Sequence, residues 1–319
     1  MMNKEHQKHY EAERKFQSDL MKRDLDRQRL LEELFRGSNE RIQEKIDQFY
    51  IRYANKEKLS VAEVRKMAKE MDVKTFNARA KKAVEERDFS HETNQFLKLY
   101  NLKMNVSRLE LLKADLNLDM QELYANAFDL MDKARIDEQK QLIEHLKEQS
   151  GVLRISGAGL AGRLKAIRDA DFYGQTFSKS VWGNNGLHAQ LQQDVFGSLG
   201  RIYTDMMGYK QERTGLSKKY DTSLHNANRL LKTEISRIQA QTQLEMLKDN
   251  DFTHMIYVAE SGACDRCGQL NGKAIPIDDI QIGYNYFPMH PNCNCSAYGQ
   301  IKMTEKNGST NLDDFEEWS

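Results

Sequence analysis

Between positions 264 and 295 the chain reads Cys264-Asp265-Arg266-Cys267-Gly268-Gln269-Leu270-Asn271-Gly272-Lys273. After a turn-rich interval it continues Phe287-Pro288-Met289-His290-Pro291-Asn292-Cys293-Asn294-Cys295. All four cysteines lie in this stretch, and so do all three prolines, Pro276, Pro288 and Pro291. Residues 1–263 contain neither. Proline lacks a backbone N–H and clashes with the preceding helical turn, so a long stretch without it reads as mostly α-helical. The sequence therefore divides into two kinds of object. The fold class is mainly α: an elongated helical body with a small C-terminal α+β module rich in Cys and His.

Upstream, apolar periodicity supports the helical reading. Residues 1–36 are dense in charge, with Phe16, Leu20, Leu25, Leu31, Leu34 and Phe35 thinly spread. They read as an exposed or partner-bound helix, broken at Gly37-Ser38-Asn39. Ile42, Ile46, Phe49, Tyr50 and Tyr53 mark the next amphipathic helix. Ser60 and Glu63 form a capping box before another. Further stripes run through 92–116 and about 119–149, the latter with Leu123, Ala127, Leu130, Met131, Ala134, Leu142 and Leu146. Glycines cluster over 151–163, the best interior boundary. Their letters match a dinucleotide fingerprint, but the strand–helix alternation that such a site needs is missing downstream. Gly183–Gly186 reads as a turn between helices, the second carrying Leu187, Leu191, Val195, Leu199 and Ile202. The organisation read is 1–150 N-terminal helical region, 151–250 second helical region, 251–300 Cys/His module with a strand at Met255–Ala259, and 301–319 a disordered acidic tail.

Charge is balanced, with 48 Lys and Arg against 48 Asp and Glu, so there is no global pull toward nucleic acid or membrane. One segment departs from balance. Lys210, Arg213, Lys218, Lys219, Arg229, Lys232 and Arg237 face only Glu212, Asp221 and Glu234. A solvated helix face is the plain reading; contact with DNA or an acidic partner is the sharper one. No run of about 18 apolar residues suggests a membrane span, and the N-terminus lacks an apolar export core. A reducing cytoplasm is therefore expected, where metal ligation outranks disulfide formation.

Two thiolates two residues apart make half of a tetrahedral site for a soft cation. Cys264 and Cys267 supply that half. The other half comes from His290 and Cys293, or from Cys293 and Cys295. Zinc prefers four N/S donors, and a closed set of four marks a structural ion rather than a catalytic one. Cys264, Cys267, His290 and Cys293 are the favoured set, with Cys295 as the alternate. The expected purpose is size: residues 251–300 hold too little apolar mass for a core of their own, and such modules need a staple.

Three blocks resemble the phage Mu F-like head morphogenesis, or minor head, proteins. They are Arg229-Leu230-Leu231-Lys232-Thr233-Glu234, then Cys264 to Lys273, then His290-Pro291-Asn292-Cys293-Asn294-Cys295. Asn294 stands where the family usually has arginine, Phe287 where it has proline, and Lys232 where it has arginine; no candidate ligand is lost. The resemblance implies a non-enzymatic minor capsid protein of a tailed bacteriophage. It would be present in few copies in the virion near the portal, assembled in the host cytoplasm, and would contact portal, capsid and scaffold proteins and packaged DNA. The rivals are a zinc-stapled phage nuclease, with His254 as the remaining base, and a regulatory DNA-binding protein.

Overall fold

A computed structural model describes residues 4–53, 108–150, 159–172, 174–204 and 209–301. The Ser60–Glu63 capping box, most of the 92–116 stripe, the first glycines of the 151–163 cluster and the acidic tail lie outside the described residues. The elements run α1 (Lys4–Tyr53), α2 (Arg108–Ser150), α3 (Leu160–Asp169), α4 (Phe177–Trp182), α5 (Leu187–Thr204), α6 (Tyr209–Lys248), β1 (His254–Val258), α7 (Asp265–Gly268), β2 (Ala274–Pro276), a 3-10 turn (Ile277–Asp279) and β3 (Ser296–Gln300). The protein is mainly helical, with a three-stranded sheet and a Cys/His cluster near the C-terminus. Among the described residues no helix is long and apolar enough to cross a membrane.

Two compact units emerge, one made of Leu31–Phe128 and Ser178–His225 and the other of Met1–Leu30, Asp129–Phe177 and Asn226–Ser319. The first is a helical bundle. Leu31, Phe35, Ile42 and Ile46 of α1, Leu116, Met120 and Leu123 of α2, Leu191, Val195 and Leu199 of α5, and Leu216 of α6 are all buried in it. The stripe read from Leu187 to Ile202 is thus a core face. The Gly183–Gly186 turn also forms where expected, for a steric reason. A Cβ on Gly186 would lie 2.6 Å from the Val181 carbonyl oxygen, and one on Gly183 2.5 Å from that of Lys179.

The expected break at Gly37-Ser38-Asn39 is corrected: α1 is continuous through it. Glycine in a helix interior costs about 1 kcal/mol against alanine, a price packing can offset. Ser38 is fully buried, with its hydroxyl 3.3 Å from that of Tyr220, and Asn39 Nδ2 donates to Ser217 Oγ at 3.4 Å. Small polar residues therefore bring α6 close to α1 rather than ending the helix.

In the second unit one face of the start of α1 is buried against the rest of the unit, while Leu25 and Leu30 stay exposed on it. Its inner face is polar, which is why its apolar stripe looked thin. Gln17 donates to the Val258 carbonyl and to Ser296 Oγ, both at 3.0 Å, at the end of the β1–β3 pair. Arg14 donates to the Ala259 carbonyl at 2.6 Å, and the buried Glu13 meets His145 Nε2 at 2.6 Å. Arg23 forks onto Glu138 at 2.6 and 2.8 Å.

The sheet has the order β2-β1-β3, antiparallel throughout, with Met255 opposite Ile275 and Gly299, and Tyr257 opposite Ala297. Side chains alternate across a strand. Ile256 and Val258 pack with Tyr298, Tyr10 and Ala274 on one face. Met255, Tyr257 and Ala259 face the other way, into a core shared with Ile275, Ile277, Tyr286, Phe287, Met289 and three of the cysteines. Ala240 and Leu247 of α6 complete that core. The module's core is therefore completed by the end of α6 rather than by residues 251–300 alone.

Candidate metal centre

Cys264 precedes α7 in extended conformation and caps its start. The Gly268 N–H donates to the Cys264 carbonyl at 2.8 Å, closing one helical turn. Residues three apart on such a turn point the same way, so the two sulfurs of the C-x-x-C face one point. Cys264 is exposed and Cys267 buried. The second loop is held by two features that sequence reasoning missed. Arg266, between the two cysteines, donates to the Met289 carbonyl at 3.4 Å and to the Gly283 carbonyl at 2.6 Å. Asn292 adopts a left-handed backbone at φ 62, and its N–H donates to Thr233 Oγ1 of α6 at 3.2 Å. Thr233 belongs to the Arg229–Glu234 block, so this bond gives a physical reason for that block to accompany the His290–Cys295 block. A cysteine-flanking arginine carries no periodic signal, and a mid-helix threonine reads as solvated; neither role was visible in the sequence.

The five candidate ligands come together. Cys264, Cys267 and His290 form one group and Cys267, Cys293 and Cys295 another, with ligand atoms in each within 4.8 Å of one another. His290 Nε2 lies 3.4 Å from the sulfurs of both Cys264 and Cys267, and the Cys267 and Cys293 sulfurs are 4.0 Å apart. A tetrahedral zinc ion with Zn–S of about 2.3 Å and Zn–N of about 2.0 Å has edges of about 3.8 Å (S–S) and about 3.5 Å (S–N). These three spacings match such edges, while the donors form two groups of three that share Cys267 rather than one mutual set of four. His290 Nδ1 sits 2.8 Å from the Pro291 carbonyl, which fits an Nδ1–H tautomer and leaves the Nε2 lone pair toward the sulfurs.

Crowding thiols sets their electrostatics. A hydrogen bond from the Cys295 thiol holds Cys293 down to about 5 despite burial. That same bond, with burial, drives Cys295 well above the thiol range, and burial with the nearby Cys293 raises Cys267 to about 12. Burial works against a charged His290, but its Pro291 bond and the Cys293 and Cys264 sulfurs outweigh it, and its pKa is raised. Additional thiolates are resisted by the first, and a cation at their centre would relieve that repulsion.

The basic residues are not one patch. Arg237 is fully buried, so its expected place at a DNA or partner surface is corrected. Its guanidinium donates to Glu234 at 2.9 and 3.2 Å, to Gln241 Oε1 at 2.7 Å, and to the Ile167 and Arg168 carbonyls at 2.8 and 3.2 Å. Arg213 is bound to Asp47 and Lys219 to Asp194. Lys232 is half-buried, while Lys210, Lys218 and Arg229 are exposed. His254 sits at the start of β1, with Nδ1 2.9 Å from Thr253 Oγ1, and belongs to neither ligand group.

Residues 203–298 match the family described as Phage Mu protein F like protein. That span contains all three blocks on which the resemblance was read, and the resemblance is borne out there. No curated protein and no solved structure matches the chain.

Proposed function

We propose that this chain, Mu F-like over residues 203–298, is a minor head protein of a tailed bacteriophage that acts in head morphogenesis by binding portal and capsid components. The observation that carries the reading is the coincidence of the matched span with one connected construction. That span holds α6, the sheet, and the two cysteine loops that Thr233 and Arg266 tie together. The role is binding rather than catalysis, in the virion near the portal. Of the seven basic candidates, the exposed Lys210, Lys218 and Arg229 are the ones we assign to DNA contact, which suits weak, salt-sensitive and sequence-independent binding.

In this reading a structural zinc ion is held by Cys264, Cys267, His290 and Cys293. Four protein donors close the coordination shell and leave no position for a reacting water. Cys295 stays a thiol that donates to Cys293. Replacing Thr233 with valine keeps the shape and removes the acceptor for the Asn292 N–H. The expected result, read by chelator competition, is zinc affinity lower by about tenfold, the low end for outer-shell partners; unchanged affinity would refute the brace.

The functional test uses a tagged chain expressed in phage-infected cells. Co-purification with portal assemblies, and low-copy detection in purified virions by mass spectrometry, are the results expected. Absence from virions together with no portal recovery would overturn the reading.

A further inference from the structure

Tyr257 is fully buried, and its hydroxyl makes no well-formed hydrogen bond, the Cys295 and Cys267 sulfurs being the acceptors within its reach. Leaving a buried O–H unmatched costs about 1–3 kcal/mol, so its position calls for an acceptor. Strand alternation sets Tyr257 on the face of β1 that looks into the core containing Cys267, Cys293 and Cys295. The groups that bear on the hydroxyl are those three sulfurs. A phenol keeps its proton at neutral pH, so the hydroxyl can act as a donor. A neutral thiol is a weak acceptor, whereas a metal-bound thiolate in a dry core is a charged one.

We infer that Tyr257 is a positioning residue of the metal centre: its O–H donates to the Cys267 thiolate once a cation is bound, orienting that sulfur and spreading its charge. The inference rests on the metal-centre reading above. It adds a role for a strand residue that lies outside every Cys/His block.

The test is Tyr257→Phe in the full chain, which removes one oxygen and keeps the ring. Zinc affinity, measured by chelator competition, is expected to fall about 10–100-fold, the range for lost outer-shell partners. The metal-free variant should melt at or above the metal-free wild type, because an unmatched polar group has gone. With Co2+ in place of zinc, the sulfur-to-metal charge-transfer band should move to longer wavelength as the thiolate loses its hydrogen bond. Equal affinity with an unmoved band, while wild type binds metal, overturns this inference alone. Equal loss of stability with and without metal also overturns it, since that marks a purely structural ring. Wild-type protein that takes up neither metal overturns the metal-centre reading itself. Should the phenylalanine variant not fold, 3-fluorotyrosine installed at position 257 gives a second readout. Its fluorine signal must shift on zinc addition, and a stationary signal refutes the proposal.

Discussion

Arg237→Ala is expected to lower the unfolding free energy by about 3–5 kcal/mol, the range for breaking a buried ion pair from one side. Three charged groups share this part of the second unit. Arg237 lies on Glu234, and Arg135 Nη2 approaches the same carboxylate at 3.4 Å. Arg135 also lies 4.0 Å over the Phe177 ring. Beyond the pair, Arg237 donates to Ile167 and Arg168, whose carbonyls lie in the last turn of α3. Helix ends leave carbonyls without intrahelical partners, and a cation there satisfies both their hydrogen bonds and the helix dipole. Alanine would remove one donor from each of these carbonyls, leaving Ile167 to the Ala170 N–H and Arg168 to Arg135, and would leave the Glu234 carboxylate, 4% exposed, with Arg135. Lysine at 237 should recover only part of the loss, because an ammonium cannot fork onto carboxylate and carbonyls together. Arg229→Ala, at an exposed site of the same helix, is the control and should stay within about 0.5 kcal/mol. Urea unfolding reads all three. A loss at Arg237 no larger than that at Arg229 would show that the buried network contributes nothing.

Cys267→Ser is the second large effect. Cys267 is common to both ligand groups and fully buried. Serine there removes a thiolate and puts a hydroxyl into an apolar core. At free zinc a thousandfold above Kd, loss of the ion alone removes about 4 kcal/mol of linked stability. In the same free zinc the variant should therefore melt near the metal-free wild type, and added zinc should no longer raise its Tm. Because the module buries Tyr286, Phe287, Met255 and Ala297 with Leu247, the metal-free wild type should still fold, with the two cysteine loops loosened. A variant whose Tm still climbs with zinc like wild type would exclude Cys267 as a ligand.

Much of this was legible in the sequence because the signals were local. Absent proline gives helices, the Leu187–Ile202 spacing gives a core face, and the Gly183–Gly186 turn announces itself by composition. The strand expected at Met255–Ala259 appears at His254–Val258, and the Cys/His spacing foretold the cluster. What stayed hidden depends on tertiary partners. Gly37 and Ser38 look like a break until Tyr220 is placed against them. Arg237 counts as surface charge until Glu234 and the end of α3 enclose it. Residues 251–300 look too poor in apolar mass until Ala240 and Leu247 of the preceding helix are added. Tyr257 reads as one more β-branched-or-aromatic strand position, and only the fold turns it toward sulfur.

The most direct test is elemental analysis of the purified full chain beside its four single Cys→Ser variants, under reducing conditions. One zinc ion per chain is expected in wild type and in Cys295→Ser, and strongly reduced zinc in Cys264→Ser, Cys267→Ser and Cys293→Ser. No stoichiometric metal in wild type, or zinc retained when Cys267 is replaced, would contradict the zinc assignment.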